Sequence, residues 1–221
     1  MTEESTRPRV DIAVVVPAFN EAESLPELVD RIDKAIDGMG RTWEVWIIDD
    51  GSTDDTFAVT EKLAAARPQV HGLSFGRNFG KAAALSAGFK AASATVVITM
   101  DADLQDDPAE IPRLLDTLDD GWDVVSGWKS TRRDPLEKRV MSRIFNAVVN
   151  RVSDLRLHDL NCGLKAYRQE VVKKLRIYGE HHRFIPVIAA SYGYRVTEIP
   201  VQHHARRHGR SKYGFSRYLS G

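Results

Sequence analysis

The sequence predicts an α/β fold, a doubly wound and mostly parallel sheet flanked by helices, in a single domain with a basic C-terminal decoration. Three observations predict it. Short β-rich runs alternate with helical segments through the first hundred or so residues, and strand–helix units of that length imply parallel strands joined by crossover helices. The chain of 221 residues is 43% hydrophobic, enough to bury the core of one large domain. Finally, carboxylate-rich polar clusters recur where these runs end, on the edge of an open parallel sheet where ligands bind. Residues 1–10 read as a tail and 11–221 as the folded domain.

The elements follow in order. Residues 12–16 form a continuous β-branched run ending at Pro17, as in a strand buried on both faces. Residues 21–37 predict a helix with Leu25, Leu28, Val29, Ile32 and Ile36 on one side. A second strand is expected at 45–48, a helix at 54–66, a weaker strand at 70–74 and an Ala-rich helix at 81–92. Residues 95–100 make the fourth strand, 108–118 the next helix and 124–126 a fifth strand. Beyond residue 130 the rhythm changes: a long basic amphipathic helix at 136–155, a strand at 161–167, a helix at 182–192, a short strand at 196–201 and a basic tail from His203.

Composition narrows the function classes. The single cysteine, Cys162, rules out an intrachain disulfide and a Cys-rich zinc site, and fits a reducing compartment. No apolar run approaches the roughly 18–20 residues that cross a bilayer, and the N-terminus lacks the apolar core of a signal peptide. A net charge of zero hides a segregation: residues 1–120 carry 11 Lys/Arg against 23 Asp/Glu, and residues 121–221 carry 20 against 8. Two differently solvated faces would produce this, as would an acidic half that handles a cation beside a basic half that meets an anionic partner. Nucleic acid is not the expected partner, because a carboxylate-rich cleft repels a polyanion.

The chemistry gathers at three strand exits: Pro17-Ala18-Phe19-Asn20-Glu21, Asp49-Asp50-Gly51-Ser52-Thr53-Asp54 and Asp101-Ala102-Asp103-Leu104-Gln105. Asp101 and Asp103, one residue apart, suit a hard divalent cation that keeps positions for water and phosphate oxygens, with Gln105 as a neutral oxygen ligand. A solvated acidic loop is the plainer alternative. Asp107 before Pro108 reads as a helix cap, with Asp106 a helper. Capping by Ser52, Thr53 or Asp54 leaves Asp49 and Asp50 over, and Asp50 suits hydrogen bonds from a base or ribose. Gly76-Arg77-Asn78-Phe79-Gly80-Lys81 is not a phosphate loop of the Walker type: three residues separate the glycines instead of four, and Ala82 follows the lysine. A helix N-terminus with Arg77 and Lys81 can still meet a nucleotide.

These motifs, in this order, resemble the family 2 (GT-A) glycosyltransferases, and more closely the branch that makes polyprenyl-phosphate sugars: dolichol-phosphate mannose synthases and bacterial undecaprenyl-phosphate glucosyl- and aminoarabinosyltransferases. The likeness runs from Asp11 to Tyr213. It implies a GT-A fold and an inverting, metal-dependent transfer of a sugar from a nucleotide-sugar donor (UDP-glucose or GDP-mannose type) to a polyprenyl phosphate, with Mg²⁺ or Mn²⁺. By position, Asp101, Asp103 and Gln105 would hold the metal. Pro17, Ala18, Glu21, Asp50, Lys81, Asp101, Ala102 and Asp103 would line the donor site. His158-Asp159-Leu160-Asn161-Cys162-Gly163 resembles the segment that carries the catalytic aspartate, which makes Asp159 the candidate. Lys138 and Ser142, four apart and flanked by Lys129, Arg132, Arg133, Arg139 and Arg143, fit the acceptor-phosphate pair of the lipid-using branch, with Lys129 beside them. Arg206, Arg210 and Lys212 match the basic loop that closes over the donor pyrophosphate.

An acceptor phosphate monoester is mostly dianionic at neutral pH and needs positioning more than a base, whereas a hydroxyl acceptor needs general-base help. Many members of this branch carry transmembrane helices soon after the Lys-Tyr-Gly segment, and this chain stops at Gly221. The expectations are a trimmed chain or one working at the cytoplasmic membrane face through its basic half. The alternatives are a soluble family 2 enzyme acting on a glycan hydroxyl and a non-catalytic nucleotide-sugar-binding module.

Overall fold

The computed structural model describes residues 9–129, 155, 157–179 and 181–205. Its strands are β1 (Val10–Ala18), β2 (Trp43–Asp49), β3 (Val70–Ser74), β4 (Ala94–Thr99), β5 (Val124–Lys129), β6 (Lys165–Arg168) and β7 (Val196–Val201). Its helices are α1 (Leu25–Ile36), α2 (Thr56–Ala66), α3 (Lys81–Ala91), α4 (Ile111–Asp119), α5 (Gln169–Lys174) and α6 (Ile185–Ser191), with 3₁₀ turns at Pro108–Glu110 and His181–Phe184. The seven strands form one sheet in the order β3-β2-β1-β4-β6-β5-β7. The first four pair in parallel, β6 is antiparallel to both β4 and β5, and β7 is parallel to β5.

Strand periodicity splits the core into two layers. Ile12, Val14 and Val16 of β1, with Val45 and Ile47 of β2, face α1 and α4 through Leu28, Ile32, Leu114 and Leu118. Ala13, Val15, Trp46 and Ile48 face the other way, against Leu85 and Phe89 of α3, Val171 and Val172 of α5, and Ile185 and Ala189 of α6. Each fully buried aliphatic side chain contributes about 1.5–3 kcal/mol relative to exposure, which is why these runs are apolar without interruption. Helix α3 lies close on β1: a Cβ at Gly88 would sit 2.2 Å from Val15 Cγ1.

Several boundaries differ from the sequence pattern. Strand β1 begins at Val10, inside the expected tail, because Val10 pairs with Ala94 of β4. Helix α1 starts at Leu25 rather than at residue 21, with Pro26 in its first turn. Asn20 adopts a left-handed φ of 55°, and the Ser24 hydroxyl turns back to the Glu21 carbonyl oxygen at 3.0 Å, so residues 21–24 become a loop. The strand expected at 161–167 is confined to Lys165–Arg168. Before it, Asp159 Oδ1 accepts the Asn161 amide at 3.0 Å, and the Thr99 hydroxyl donates to the Gly163 carbonyl at 2.8 Å. The helix expected at 136–155 lies, except for residue 155, outside the described residues.

Candidate active site

Strand register brings the three exits together. Ala18 at the end of β1 lies opposite Asp49 of β2, and Val15 opposite Thr99 of β4. Beyond those ends the loops stitch to one another. The Asn20 amide donates to Ser52 Oγ (2.8 Å), the Thr53 amide to Asn20 Oδ1 (2.8 Å) and the Glu21 amide to Thr56 Oγ1 (2.8 Å). Pro17 lines the central cavity, Ala18 is buried beneath the first exit, and Glu21 is half-buried.

The second exit organises the loop before α3. Asp49 Oδ1 accepts the Ser52 amide (3.0 Å), and its Oδ2 accepts the Ser74 hydroxyl (2.7 Å). Asp50, expected at a ribose or base, accepts the backbone amides of Phe79 (2.7 Å) and Gly80 (2.9 Å). Gly51, at φ +69°, carries its Cα so close to the next loop that a Cβ would lie 2.3 Å from the carbonyl carbon of Arg77. The loop so held delivers Lys81 to Asp101, with which it forms an ion pair.

At the third exit the Asp101 carboxylate packs over Gly163, where a Cβ would approach its Cγ to 2.6 Å. Ala102 and Leu104 are buried, and Leu104 takes a φ of 61°, which turns the chain sharply between Asp103 and Gln105. Asp103 Oδ1 accepts the Gln105 amide at 3.1 Å. Asp107 caps the following turn through the Ala109 amide at 3.0 Å, as expected. Asp106 does more than help. It is 1% exposed, 3.6 Å from Lys129 Nζ and 3.7 Å from His203 Nδ1. Burial alone would raise its pKa, but Lys129 and His203 hold its carboxyl well below the usual range. Lys129, expected at the acceptor phosphate, is largely buried against this carboxylate. The chain leaving β7 is fastened to the same loop: the His204 amide donates to the Gln105 carbonyl (2.8 Å), Gln105 Nε2 lies 3.4 Å from the His204 carbonyl, and His204 Nε2 sits 2.8 Å from Asp107 Oδ2.

Next to Asp101 opens a cavity of about 270 Å³. Lys81, Asp101, Asn161, Lys165, Tyr167, His182 and Arg183 supply its polar wall; Leu85, Met100, Leu160 and Ile185 are among its apolar residues. Lys165 is 4% exposed, its ammonium donates to the Cys162 carbonyl, and burial holds its pKa below the ordinary lysine value. Burial and the field of Asp106 push the Cys162 thiol up to about 12, so it stays protonated and unreactive at neutral pH. Lys165, Tyr167, His182 and Arg183 line this cavity without belonging to any of the sequence motifs. The one available signal was a lysine set inside an apolar strand.

Asp159, the expected catalytic residue, is wholly buried and does not line the cavity. Its carboxylate shapes the 158–161 turn, while neighbouring His158 stacks on Trp128 at 4.2 Å and pairs with Glu198. Lys138, Ser142, Arg206, Arg210 and Lys212 lie outside the described residues.

Residues 13–176 match the profile of the family described as glycosyl transferase family 2. The chain belongs to glycosyl transferase family 2. Among its family 2 relatives, the undecaprenyl-phosphate 4-deoxy-4-formamido-L-arabinose transferases of Salmonella paratyphi B and Salmonella newport are each 40% identical over 210 residues, covering 95% of this chain and 64% of theirs. The chain thus spans somewhat under two thirds of the length of those relatives. Its fold is that of the GT-A enzymes. Glucosyl-3-phosphoglycerate synthase from Mycobacterium tuberculosis, in complex with phosphoglyceric acid, superposes with a TM-score of 0.71 at 23% identity over 91% of this chain and 73% of that one. A mannosyltransferase from Pyrobaculum calidifontis, in complex with GDP-Man and Mn²⁺, gives 0.68 at 24% identity over 92% and 59%.

In this family 2 chain the cation-holding residues expected from the family resemblance, Asp101, Asp103 and Gln105, would offer two carboxylates and one amide oxygen. Among the described residues, no three His, Cys, Asp or Glu side chains gather as a cation cage. That composition fits Mg²⁺ or Mn²⁺, which take hard oxygen ligands, keep several waters and bind through one or two carboxylates together with substrate phosphates.

Proposed function

We propose that the chain transfers a sugar, with inversion, from a nucleoside-diphosphate donor to a polyprenyl phosphate at a membrane surface. The observation that carries this reading is the 40% identity across 95% of the chain to the undecaprenyl-phosphate transferases. The convergence of three polar strand exits on one edge supports it. An oxygen of the acceptor phosphate attacks the anomeric carbon as that carbon's bond to the diphosphate oxygen breaks on the opposite face. Asp101, Asp103 and Gln105 would hold the cation, which when bound supplies positive charge to the leaving diphosphate. Lys81, fixed beside Asp101, adds a second positive charge at the same edge. Pro17, Ala18, Glu21 and Asp50 border the nucleoside side, Asp50 by ordering the 79–80 amides. Lys138 and Ser142 for the acceptor phosphate, and Arg206, Arg210 and Lys212 for the donor pyrophosphate, remain the residues that the family resemblance assigns.

The test is transfer of label from UDP-glucose and GDP-mannose to a polyprenyl phosphate, with Mg²⁺ or Mn²⁺ and with EDTA. Label in the lipid that disappears with EDTA is the expected result. Donor binding or hydrolysis with no lipid product from either donor would overturn the acceptor assignment.

A phosphate dianion needs no proton removed before attack, so Asp159 acts here by orienting the 158–163 segment against the cavity. Asparagine keeps the oxygen that accepts the Asn161 amide. We therefore expect Asp159→Asn to fold normally, to lose less than about 100-fold in turnover and to keep the shape of its pH profile. A loss in the roughly 10²–10⁴ range of general-base catalysis, with the acidic limb of the profile abolished, would make Asp159 the base instead.

A further inference from the structure

We propose that Lys81 is a counter-ion switch: its ammonium competes with a divalent cation for the Asp101 carboxylate and, once displaced, pairs with the diphosphate of the donor, so that cation and donor bind cooperatively. Resting on the donor and cation reading above, this adds a coupling between the two ligands that one side chain carries.

The Asp101 carboxylate has little freedom. Lys81 Nζ donates to its Oδ1, and it packs against Gly163, where an added Cβ would come within 2.6 Å of its Cγ and 2.7 Å of its Oδ2. A cation taken up by Asp101 therefore meets the Lys81 charge, and a dication repels an ammonium twice as strongly as a single charge does. Both side chains are open to a ligand, Lys81 being 20% exposed and Asp101 32%. Lys81 can yield. Its backbone is held as the first residue of α3, directly after the 79–80 amides that Asp50 accepts, but its Nζ stands on a flexible four-carbon stem.

The surrounding charges tie the exchange to an anion. Among the described residues that line the adjoining cavity, Asp101 is the one carboxylate, against Lys81, Lys165 and Arg183, with His182 beside them. These groups already crowd one another. Burial first, and the Lys81 charge next, hold the His182 imidazole down to about 4, and burial with Lys81 adding to it lowers Lys165. A dication brought to this wall by itself therefore enters a surround of net positive charge. The same dication arriving with a diphosphate does not, because the anion offsets it. On that diphosphate the displaced ammonium regains the charge-assisted hydrogen bond it gave up at Asp101. Each ligand thus removes a cost that the other would meet alone, which is a coupling free energy and acts equally in both directions.

The experiment measures Mn²⁺ binding by the paramagnetic resonance of the free ion, and UDP and GDP binding by calorimetry, each ligand alone and in the presence of the other. It is run on wild type, Lys81→Met and Lys81→Arg after their melting temperatures have been checked. In wild type the nucleotide that binds should raise Mn²⁺ affinity by a factor in the roughly 5–150-fold range of site-to-site coupling, and Mn²⁺ should raise nucleotide affinity by the same factor. Lys81→Met should bind Mn²⁺ alone about fivefold more tightly, the worth of one part-exposed ion pair. It should bind the nucleotide alone as wild type does, and its coupling factor should fall about fivefold or more. Lys81→Arg, which keeps the charge, should restore the coupling. No coupling in wild type, Mn²⁺ binding by Lys81→Met no tighter than wild type, or an undiminished coupling factor in that variant would overturn the switch while leaving the transferase reading intact. Failure of both UDP and GDP to bind, with Mn²⁺ or without it, would bring down that reading, and this inference with it.

Discussion

Asp103→Asn should reduce metal-dependent transfer on the order of 10²–10³-fold at unchanged melting temperature. The side chain is 9% exposed, and its Oδ1 holds the Gln105 amide, an acceptor role that asparagine keeps. Leu104 remains in its left-handed conformation, so the loop retains its shape. What changes is one negative charge in the proposed donor set of two carboxylates and an amide. Charge stabilisation by a bound cation is worth several kcal/mol at a developing oxyanion, and each 1.36 kcal/mol lost is tenfold in rate. The loss should show as a raised Mn²⁺ or Mg²⁺ concentration for half-activity together with reduced turnover at saturating metal. An Asp103→Asn enzyme with wild-type turnover and wild-type metal dependence would refute the assignment of this residue to the cation.

Gly51→Ala should destabilise the fold by about 2–5 kcal/mol and weaken donor binding at least tenfold. Two costs add. A left-handed φ of +69° costs a non-glycine residue roughly 1–2 kcal/mol. The new Cβ would also lie 2.3–2.7 Å from the backbone of Arg77 and Asn78, which cannot rotate away as a side chain would; overpacking of this kind typically costs 1–3 kcal/mol. The displaced loop is the one whose 79–80 amides Asp50 holds and which delivers Lys81 to Asp101. The damage therefore passes from one strand exit to the next and reaches the proposed diphosphate edge. Urea unfolding measures the first effect and donor titration the second. A stability change within about 0.5 kcal/mol, the range of an inconsequential surface substitution, would show that the close approach of these loops is not maintained in solution.

The two variants also mark where sequence and structure divide the explanation. Helix α1 was legible because Leu25, Leu28, Val29, Ile32 and Ile36 recur at helical spacing, and all five are buried. Its first turn departs from that pattern because Asn20 and Ser24 take the chain into a loop, and local side-chain hydrogen bonds of that kind compete with helix without altering apolar periodicity. The antiparallel β6, inserted between β4 and β5, had no signature: a buried four-residue strand reads alike in either direction.

The site divides in the same way. Acidic residues at strand exits announced themselves, since paired carboxylates one residue apart exceed what capping requires. Asp106 did not, because its role depends on Lys129 and His203, which approach from β5 and from the chain after β7. Nor did the cavity, whose walls come from β4, β6, α3 and the 181–184 turn. By itself the sequence determined the alternation of strand and helix, the acidic edge of the sheet and the family, each written in local spacing or in the order of motifs along the chain. Only the tertiary structure decided that Asp50 orders a loop, that Asp159 and Lys129 turn inward, and that Lys165, Tyr167 and His182 share a pocket. Burial and pairing of a polar side chain depend on neighbours distant in sequence, and a pattern read along the chain carries no measure of that distance.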